Sequence, residues 1–279
     1  MLAAQHPRWA GLPLTPVASA GTDNALFRLG DDLVVRLPKE ARAASQGVKE
    51  QAWLPRLSTQ LPLAIPAPVA TGAPGAGFPW GWSVCRWLDG RDAWTTPPDD
   101  PIHTGEALGA FVAALQRIDA AGGPASGEQN SWRGVPLRIL DRTARRSIAG
   151  IADLLDAERL TAIWAAALAA PRHAGPPTWI HGDLHPGNLL VGDGRLTAVI
   201  DFGLLGVGDP AADLMAAWSV VPAEGRQAFR AAVEPDAAAW TRARGWAVYA
   251  GAVALSYYRE RNPTLAAISR RTLEAVLAD

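Results

Sequence analysis

The feature that most constrains this chain is a short non-helical island, residues 179–208, set inside a helical half. It reads Trp179-Ile180-His181-Gly182-Asp183-Leu184-His185-Pro186-Gly187-Asn188, then Leu189 to Val191, the turn Gly192-Asp193-Gly194, and Leu196 to Ile200, leading into Asp201-Phe202-Gly203. Two short apolar runs about a Gly/Asp turn predict a β-hairpin. Antiparallel pairing brings the two open ends of a hairpin together. Asn188 enters the first strand and Asp201 leaves the second. Asp183 sits just before Asn188, in a loop broken by Pro186 and Gly187. Two carboxylates and one amide oxygen therefore meet at one end of one hairpin.

The island lies in a chain of mixed character. Ala25 to Leu29 and Leu33 to Leu37 flank Gly30-Asp31-Asp32, which predicts a second hairpin closed by Pro38. Glu40 to Leu57 carries Val48, Ala52, Trp53 and Leu57 at helical spacing. A Pro-rich stretch with Pro62, Pro66 and Pro68 follows, and Trp80 to Leu88 reads as a strand ended by Asp89-Gly90. Beyond His103 the spacing predicts helices: one through Leu108 and Ile118 that stops near Gly122-Gly123, then Pro136 to Ile151, Ala157 to Ala170, Pro210 to Val221, Ala237 to Arg261 and Thr264 to Leu277. The fold class is α+β: a β-rich part over residues 1–88 and a mainly helical part over 89–279. No internal repeat is visible.

Hard cations take oxygen ligands, so an Asp carboxylate and an Asn amide oxygen suit magnesium. A further Asp can hydrogen-bond a hydroxyl and accept its proton. Positioning, neutralised phosphate charge and an oriented hydroxyl are what phosphoryl transfer requires. The competing structural account makes these residues turn and cap formers, which Asp and Asn also favour. His181 reads as a residue that orients the loop. Asp209 and Asp213 read as helix-terminal and loop-bracing residues.

The spacing has a family counterpart. His181-Gly182-Asp183 with four residues before Asn188 parallels the protein-kinase catalytic loop, and Asp201-Phe202-Gly203 parallels its metal-binding triplet. With Gly182, with Leu184-His185-Pro186-Gly187-Asn188, and with Gly208-Asp209-Pro210-Ala211-Ala212-Asp213, the chain resembles the aminoglycoside phosphotransferase family more than the protein kinases. That resemblance implies a protein-kinase-like bilobal fold and transfer of the γ-phosphoryl group of ATP or GTP, with Mg2+, to a hydroxyl of an antibiotic or related natural product. It implies Asp183 as the catalytic base, with Asn188 and Asp201 as metal ligands. It also implies nucleotide contacts from the loop Ser19 to Asn24, through Thr22 and Asn24, and from Val84 to Leu88, where Arg86 C=O and Leu88 N–H face the base. The family's strand lysine, paired to a helix glutamate, is replaced here by Arg36 with Glu50. A planar guanidinium is not a simple substitute for an ammonium.

Charge and composition narrow the partners. The net charge of -1 gives no global basic field for nucleic acid or an anionic membrane. Cys85 stands alone, so no intrachain disulfide forms. No signal peptide or membrane-spanning run is visible, and a cytoplasmic monomer or weak dimer is expected. From Phe202 onward eight acidic residues balance eight arginines, beside Trp218, Trp240, Trp246, Tyr249, Tyr257 and Tyr258. A polycationic acceptor calls for gathered carboxylates. The balance leans toward a macrolide, a nucleoside-type or another natural-product hydroxyl over an aminoglycoside. Three further readings are a D-x-H metallohydrolase through Asp183 and His185, a protein kinase, and a non-catalytic nucleotide-binding module. The first lacks further histidines after the hairpin, and the second lacks the glycine-rich loop and the A-P-E element.

Overall fold

Antiparallel pairing of the expected N-terminal strands builds the larger sheet of the computed structural model, which describes residues 1–17 and 23–279. Thr22 and most of the loop before Asn24 lie outside the described residues. After α1 (Leu2–Gln5) come β1 (Leu14–Val17), β2 (Asn24–Leu29), β3 (Leu33–Pro38), α2 (Ala41–Leu57), β4 (Pro68–Gly72) and β5 (Trp82–Arg86). The five strands run in the order β1-β2-β3-β5-β4. β1 and β4 did not stand out in the sequence, because each carries a proline that weakens a strand pattern. Both are edge strands, where a missing backbone donor is tolerated. Pro68 opens β4 and Pro16 sits in β1.

Register divides the residues of this sheet between two faces. Leu26 pairs with Arg36 and Asn24 with Pro38, while Val34 pairs with Cys85 and Arg36 with Ser83. Side chains alternate along a strand and match across strands. Phe27, Leu29, Val35, Trp82 and Val84 therefore share one face, and they form a small core with Met1, Leu2, Trp9 and Phe78. Asn24, Leu26, Val34, Arg36, Ser83 and Cys85 share the other, on which α2 contributes Glu50.

The rest of the chain is mainly helical. It holds β6 (Arg91–Asp92), α3 (Pro101–Arg117), α4 (Asp141–Ala149), α5 (Ala157–Ala169), β7 (Thr178–Ile180), β8 (Leu189–Gly192), β9 (Arg195–Val199), β10 (Gly206–Gly208), α6 (Ala211–Leu214), α7 (Ala216–Ser219), α8 (Arg226–Val233), α9 (Ala237–Tyr258) and α10 (Pro263–Ala278). Trp164, Trp179, Trp218 and Trp246 are fully buried in its core. Among the described residues no helix is long and apolar enough to cross a membrane.

Three expectations are corrected, and one helix is added. The helix read over Pro210 to Val221 is two one-turn helices, α6 and α7, anchored separately by Asp213 and Ser219 to the loop before the hairpin. The stretch from Pro136 begins as a 3-10 turn, Leu137–Leu140, before α4. α3 ends at Arg117, short of Gly122, because Ile118 is extended. α8 was not expected at all. It packs on α3 at Gly105, where an added Cβ would lie 2.2 Å from the Gly225 carbonyl oxygen.

Candidate active site

The island folds as its turn chemistry demands. Asp193 and Gly194 have φ of 49° and 72°, the paired left-handed conformation of a tight hairpin turn. β8 and β9 run back from it as an antiparallel pair whose register shifts between Leu190 and Val191, with Leu189 opposite Val199, and β6 adds a third strand beside β8. The ladder continues one step further, because Ile200 N–H donates to the Asn188 carbonyl at 2.9 Å. Asp201 follows directly and is held at φ 63°. A non-glycine residue there costs on the order of 1–3 kcal/mol and persists where surrounding structure enforces it. Here the carboxylate also accepts from Gly203 N–H at 3.4 Å.

Asp183 is tied to Asn188 directly. The Asn188 amide donates to the Asp183 carbonyl at 2.9 Å and to Asp183 Oδ2 at 3.3 Å. That use of its nitrogen leaves Asn188 Oδ1 available to a cation. Gly182 holds φ 83°, and a Cβ on it would lie 2.8 Å from Leu204 O. Only glycine fits the His-Gly-Asp turn without displacing the segment after Asp201.

Buried groups brace this loop from below. Asp213, fully buried, accepts from the backbone N–H of His181 at 2.6 Å and of Gly182 at 2.8 Å. Burial raises its pKa, opposed by His181 and the two amides. His181 Nδ1 accepts from Asp183 N–H at 3.2 Å, so its Nε2–H donates to Ile200 O at 3.0 Å. The ring thus bolts the loop to the hairpin, and both nitrogens are used. Ser219 Oγ donates to Leu184 O at 2.7 Å, and Arg133 Nε to Gly182 O at 2.9 Å. Asp209 pairs with Arg242 at 2.8 Å and caps Ala211 N–H. His185 Nδ1 accepts from Gly187 N–H, while Nε2 stands 3.8 Å from Asp183 Oδ2. Both nitrogens of His181 are engaged, so it is not placed as a metal ligand, and the loss of that candidate disfavours the D-x-H hydrolase.

Across from the hairpin, Arg36 Nη1 lies 2.9 Å from Glu50 Oε2, with side chains 13% and 5% exposed. This is a buried pair rather than a surface one. Burial pulls the Arg36 pKa down, but Glu50, Cys85 and Asp201 more than offset it, and the guanidinium stays charged. Burial pushes the Glu50 carboxyl up against the pull of Arg36, and Asp201 adds to the rise. Asp201 thus acts on both members of the pair. Cys85 is buried on the face of Arg36, and its thiol is pushed up by burial. Along the connection out of β5, Trp87 N–H donates to Asp32 O at 2.7 Å. Peptide groups alternate along an extended chain, so the backbone polar groups of Arg86 turn away from β3.

Lys49 is a residue that sequence reasoning missed. Its Nζ donates to Gly203 O and to Gln129 Oε1, each at 2.9 Å. Burial, partly offset by Glu50, lowers its pKa to about 8. Adjacent residues on a helix do not face the same way, so nothing local showed that Lys49 and Glu50 both reach this site.

The donor set fits magnesium. Asp201 and Asn188 supply hard oxygens at one hairpin end, and Mg2+ is held by one or two carboxylates plus waters and substrate phosphates rather than by an all-protein cage. Among the described residues no group of three or more His, Cys, Asp or Glu is gathered.

Comparison with known proteins gives a consistent picture. The sequence pattern of the phosphotransferase enzyme family, APH, matches residues 14–249. The GDP complex of wild-type aminoglycoside 2'-phosphotransferase-IIIa superposes with a TM-score of 0.73 at 20% identity, over 100% of this chain and 96% of that one. Macrolide 2'-phosphotransferase MphH from Brachybacterium faecium superposes with a TM-score of 0.63 at 24% identity, over 98% and 95%. ADP-bound aminoglycoside phosphotransferase APH(2'')-Ib gives 0.63 at 17%, over 99% and 98%. No curated protein sequence matches significantly. The fold is the kinase-like one of these enzymes, a β-sheet N-terminal region followed by a helical C-terminal part.

Proposed function

From the premise that this chain belongs to the phosphotransferase enzyme family, we propose that it transfers the γ-phosphoryl group of ATP or GTP to a hydroxyl of an antibiotic or related natural product. The observation that carries this reading is the bonded pair Asp183–Asn188 at the same hairpin end as Asp201, facing the buried Arg36–Glu50 pair. The structurally similar enzymes are aminoglycoside and macrolide phosphotransferases, some holding GDP or ADP. A kinase for a metabolite hydroxyl is the second reading, since the catalytic residues do not depend on the acceptor's body.

In this reading residues 1–88 hold the nucleotide and 89–279 hold the acceptor. Leu26, Val34 and Cys85 offer an apolar wall for the base, beside the backbone of Arg86 and Leu88. Asn24 lies on the same sheet face as Arg36, toward the phosphates. Arg36, fixed by Glu50, presents its fork to phosphate oxygens. Asp183, held by Asn188 and by the braced loop, orients the acceptor hydroxyl and takes its proton. Asn188 and Asp201 would hold Mg2+, which supplies neutralisation of phosphate charge. Positioning and charge stabilisation carry most of such a reaction.

A screen over aminoglycosides, macrolides, nucleoside antibiotics and small metabolite alcohols, read by mass gain, identifies the acceptor. Asp183→Ala should then lose turnover by roughly 10²–10⁴-fold, while ATP or GTP with magnesium still raises its melting temperature. Asp201→Ala should remove the magnesium dependence of that rise. Near-normal turnover in Asp183→Ala sinks the assignment.

A further inference from the structure

One side of α2 meets the segment that carries Asp201. Gln46 is followed by Lys49 and Glu50 at the helical i+3 and i+4 positions. Glu50 takes Arg36 at 2.9 Å. Gln46 is buried, and a Cβ added to Gly203 would lie 3.1 Å from its Oε1. Lys49 Nζ donates to Gly203 O and to Gln129 Oε1, each at 2.9 Å. α2 belongs to the β-rich part of the chain, and both acceptors belong to the helical part. One ammonium therefore spans the two.

Both acceptors matter to the chemistry. Asp201 is held at φ 63°, a conformation that surrounding structure must enforce. Before it, Ile200 O is held by His181 Nε2–H. After it, Phe202 is fully buried with its ring edge-on to His181 at 4.5 Å, and Phe202 O accepts from Leu205 N–H at 2.9 Å. These partners all come from the helical part. The hold on Gly203 O comes from α2 instead. The same helix thus fixes the phosphate-gripping Arg36 through Glu50 and the metal-binding Asp201 through Lys49. The second acceptor, Gln129, has its amide nitrogen engaged by Ala125 O at 2.8 Å, which aims its oxygen at Lys49. Its neighbour Asn130 donates to Arg133 O at 3.0 Å, and Arg133 Nε donates to Gly182 O beside Asp183. Magnesium demands near-ideal octahedral geometry, so the carboxylate and the phosphates must be held in one frame.

We propose that Lys49 is a positioning residue of this site: by holding the Gly203 carbonyl to α2, it fixes the Asp201 carboxylate relative to Arg36 and so sets how far magnesium strengthens nucleotide binding. The proposal rests on the phosphotransferase reading, which puts a magnesium nucleotide between those two groups. Lys49 acts through Gly203 and Asp201, as the outer partners of metal ligands do.

The test is calorimetric titration of the full chain with the β,γ-methylene analogues of ATP and GTP, each in Mg2+ and in EDTA. The ratio of the two affinities is the magnesium gain. Lys49→Met should lower that gain about tenfold and leave the affinity in EDTA unchanged. Lys49→Arg, which keeps a cationic donor for Gly203 O, should recover most of it. Should Lys49→Met fail to fold, Lys49→Gln, polar but one bond shorter, takes its place with the same expectation. Val276→Ala truncates a fully buried side chain away from the site; it should lower the melting temperature and keep the gain, which separates positioning from loss of stability. A Lys49→Met variant with the parent's gain would overturn the proposal, as would a Val276→Ala variant that loses the gain equally. An equal or larger loss in EDTA would also overturn it, because that marks direct contact with the phosphates, whose negative charge is greater without metal. A parent with no magnesium gain for either analogue sinks the phosphotransferase reading and this proposal together. A parent gain that survives Lys49→Met sinks this proposal alone.

Discussion

Replacing Arg36 by Ala would strand Glu50, whose side chain is only 5% exposed, as an uncompensated buried carboxylate. Breaking a buried pair by removing one partner costs about 3–5 kcal/mol. A native chain has roughly 5–15 kcal/mol in hand, so the variant should remain folded but weakened. At about 2–4 °C per kcal/mol for chains somewhat smaller than this one, its melting temperature should fall by roughly 10 °C. The deficit should shrink toward acid. Burial already raises the Glu50 pKa, and loss of Arg36 removes what held it down. The folded variant then binds more protons than the unfolded chain as pH falls, and so gains stability there. The double variant Arg36→Met/Glu50→Leu separates structure from function, since apolar residues of similar volume replace buried pairs at little cost. It should recover most of the melting temperature yet not the binding of magnesium nucleotide, measured by calorimetry. A double variant that binds nucleotide like the parent would reduce Arg36 to a packing element. A loss below about 1 kcal/mol in Arg36→Ala, the range of an exposed pair, would refute the buried-charge argument itself.

Three other outcomes follow from the same geometry. Gly182→Ala meets both a left-handed φ and a contact 2.8 Å from Leu204 O, and should lose about 2–4 kcal/mol in urea unfolding. Parent-like stability would show that the turn can relax. Asp213→Ala leaves the buried N–H groups of His181 and Gly182 unpaired, at about 1–3 kcal/mol each, and turnover should fall with stability because the loop carrying Asp183 loses its brace. Unfolding and activity assays on one preparation check both, and an unchanged turnover would detach the brace from the chemistry. Lys49 gives a pH signature. Its folded pKa of about 8 lies below the ordinary value of about 10.4, so the unfolded chain binds more protons in that window and stability rises with pH across it. Lys49→Met should remove that part of the slope when both proteins are unfolded at pH 8 and pH 9.5, and identical slopes would contradict the placement of Lys49.

The turn at Asp193-Gly194, the alternation in β2, β3, β8 and β9, and the spacing of Asp183, Asn188 and Asp201 were all legible in the sequence. Each depends on neighbours within a few residues, and a hairpin converts local spacing into spatial meeting without help from elsewhere. The α+β order was legible for the same reason, since periodicity reports which way a segment buries its apolar side. What joins distant segments was not. The edge strands β1 and β4 were hidden by prolines that only an edge position excuses. Asp213 could be read as a brace, but not that its carboxylate would take the amides of His181 and Gly182, more than 30 residues away. Arg36 and Glu50 could be matched by family resemblance, yet whether they form a surface pair or a buried one depended on how α2 packs over the sheet. Lys49 and an arginine-lined cavity among α7, α8, α9 and α10 left no local signal. One depends on which way a helix is rotated, the other on four helices meeting. The balanced charge of the helical part was readable, but charge counts carry no positions. Tertiary packing alone drew five arginines around the side chain of Asp279, because long-range contacts decide which side chains share a wall.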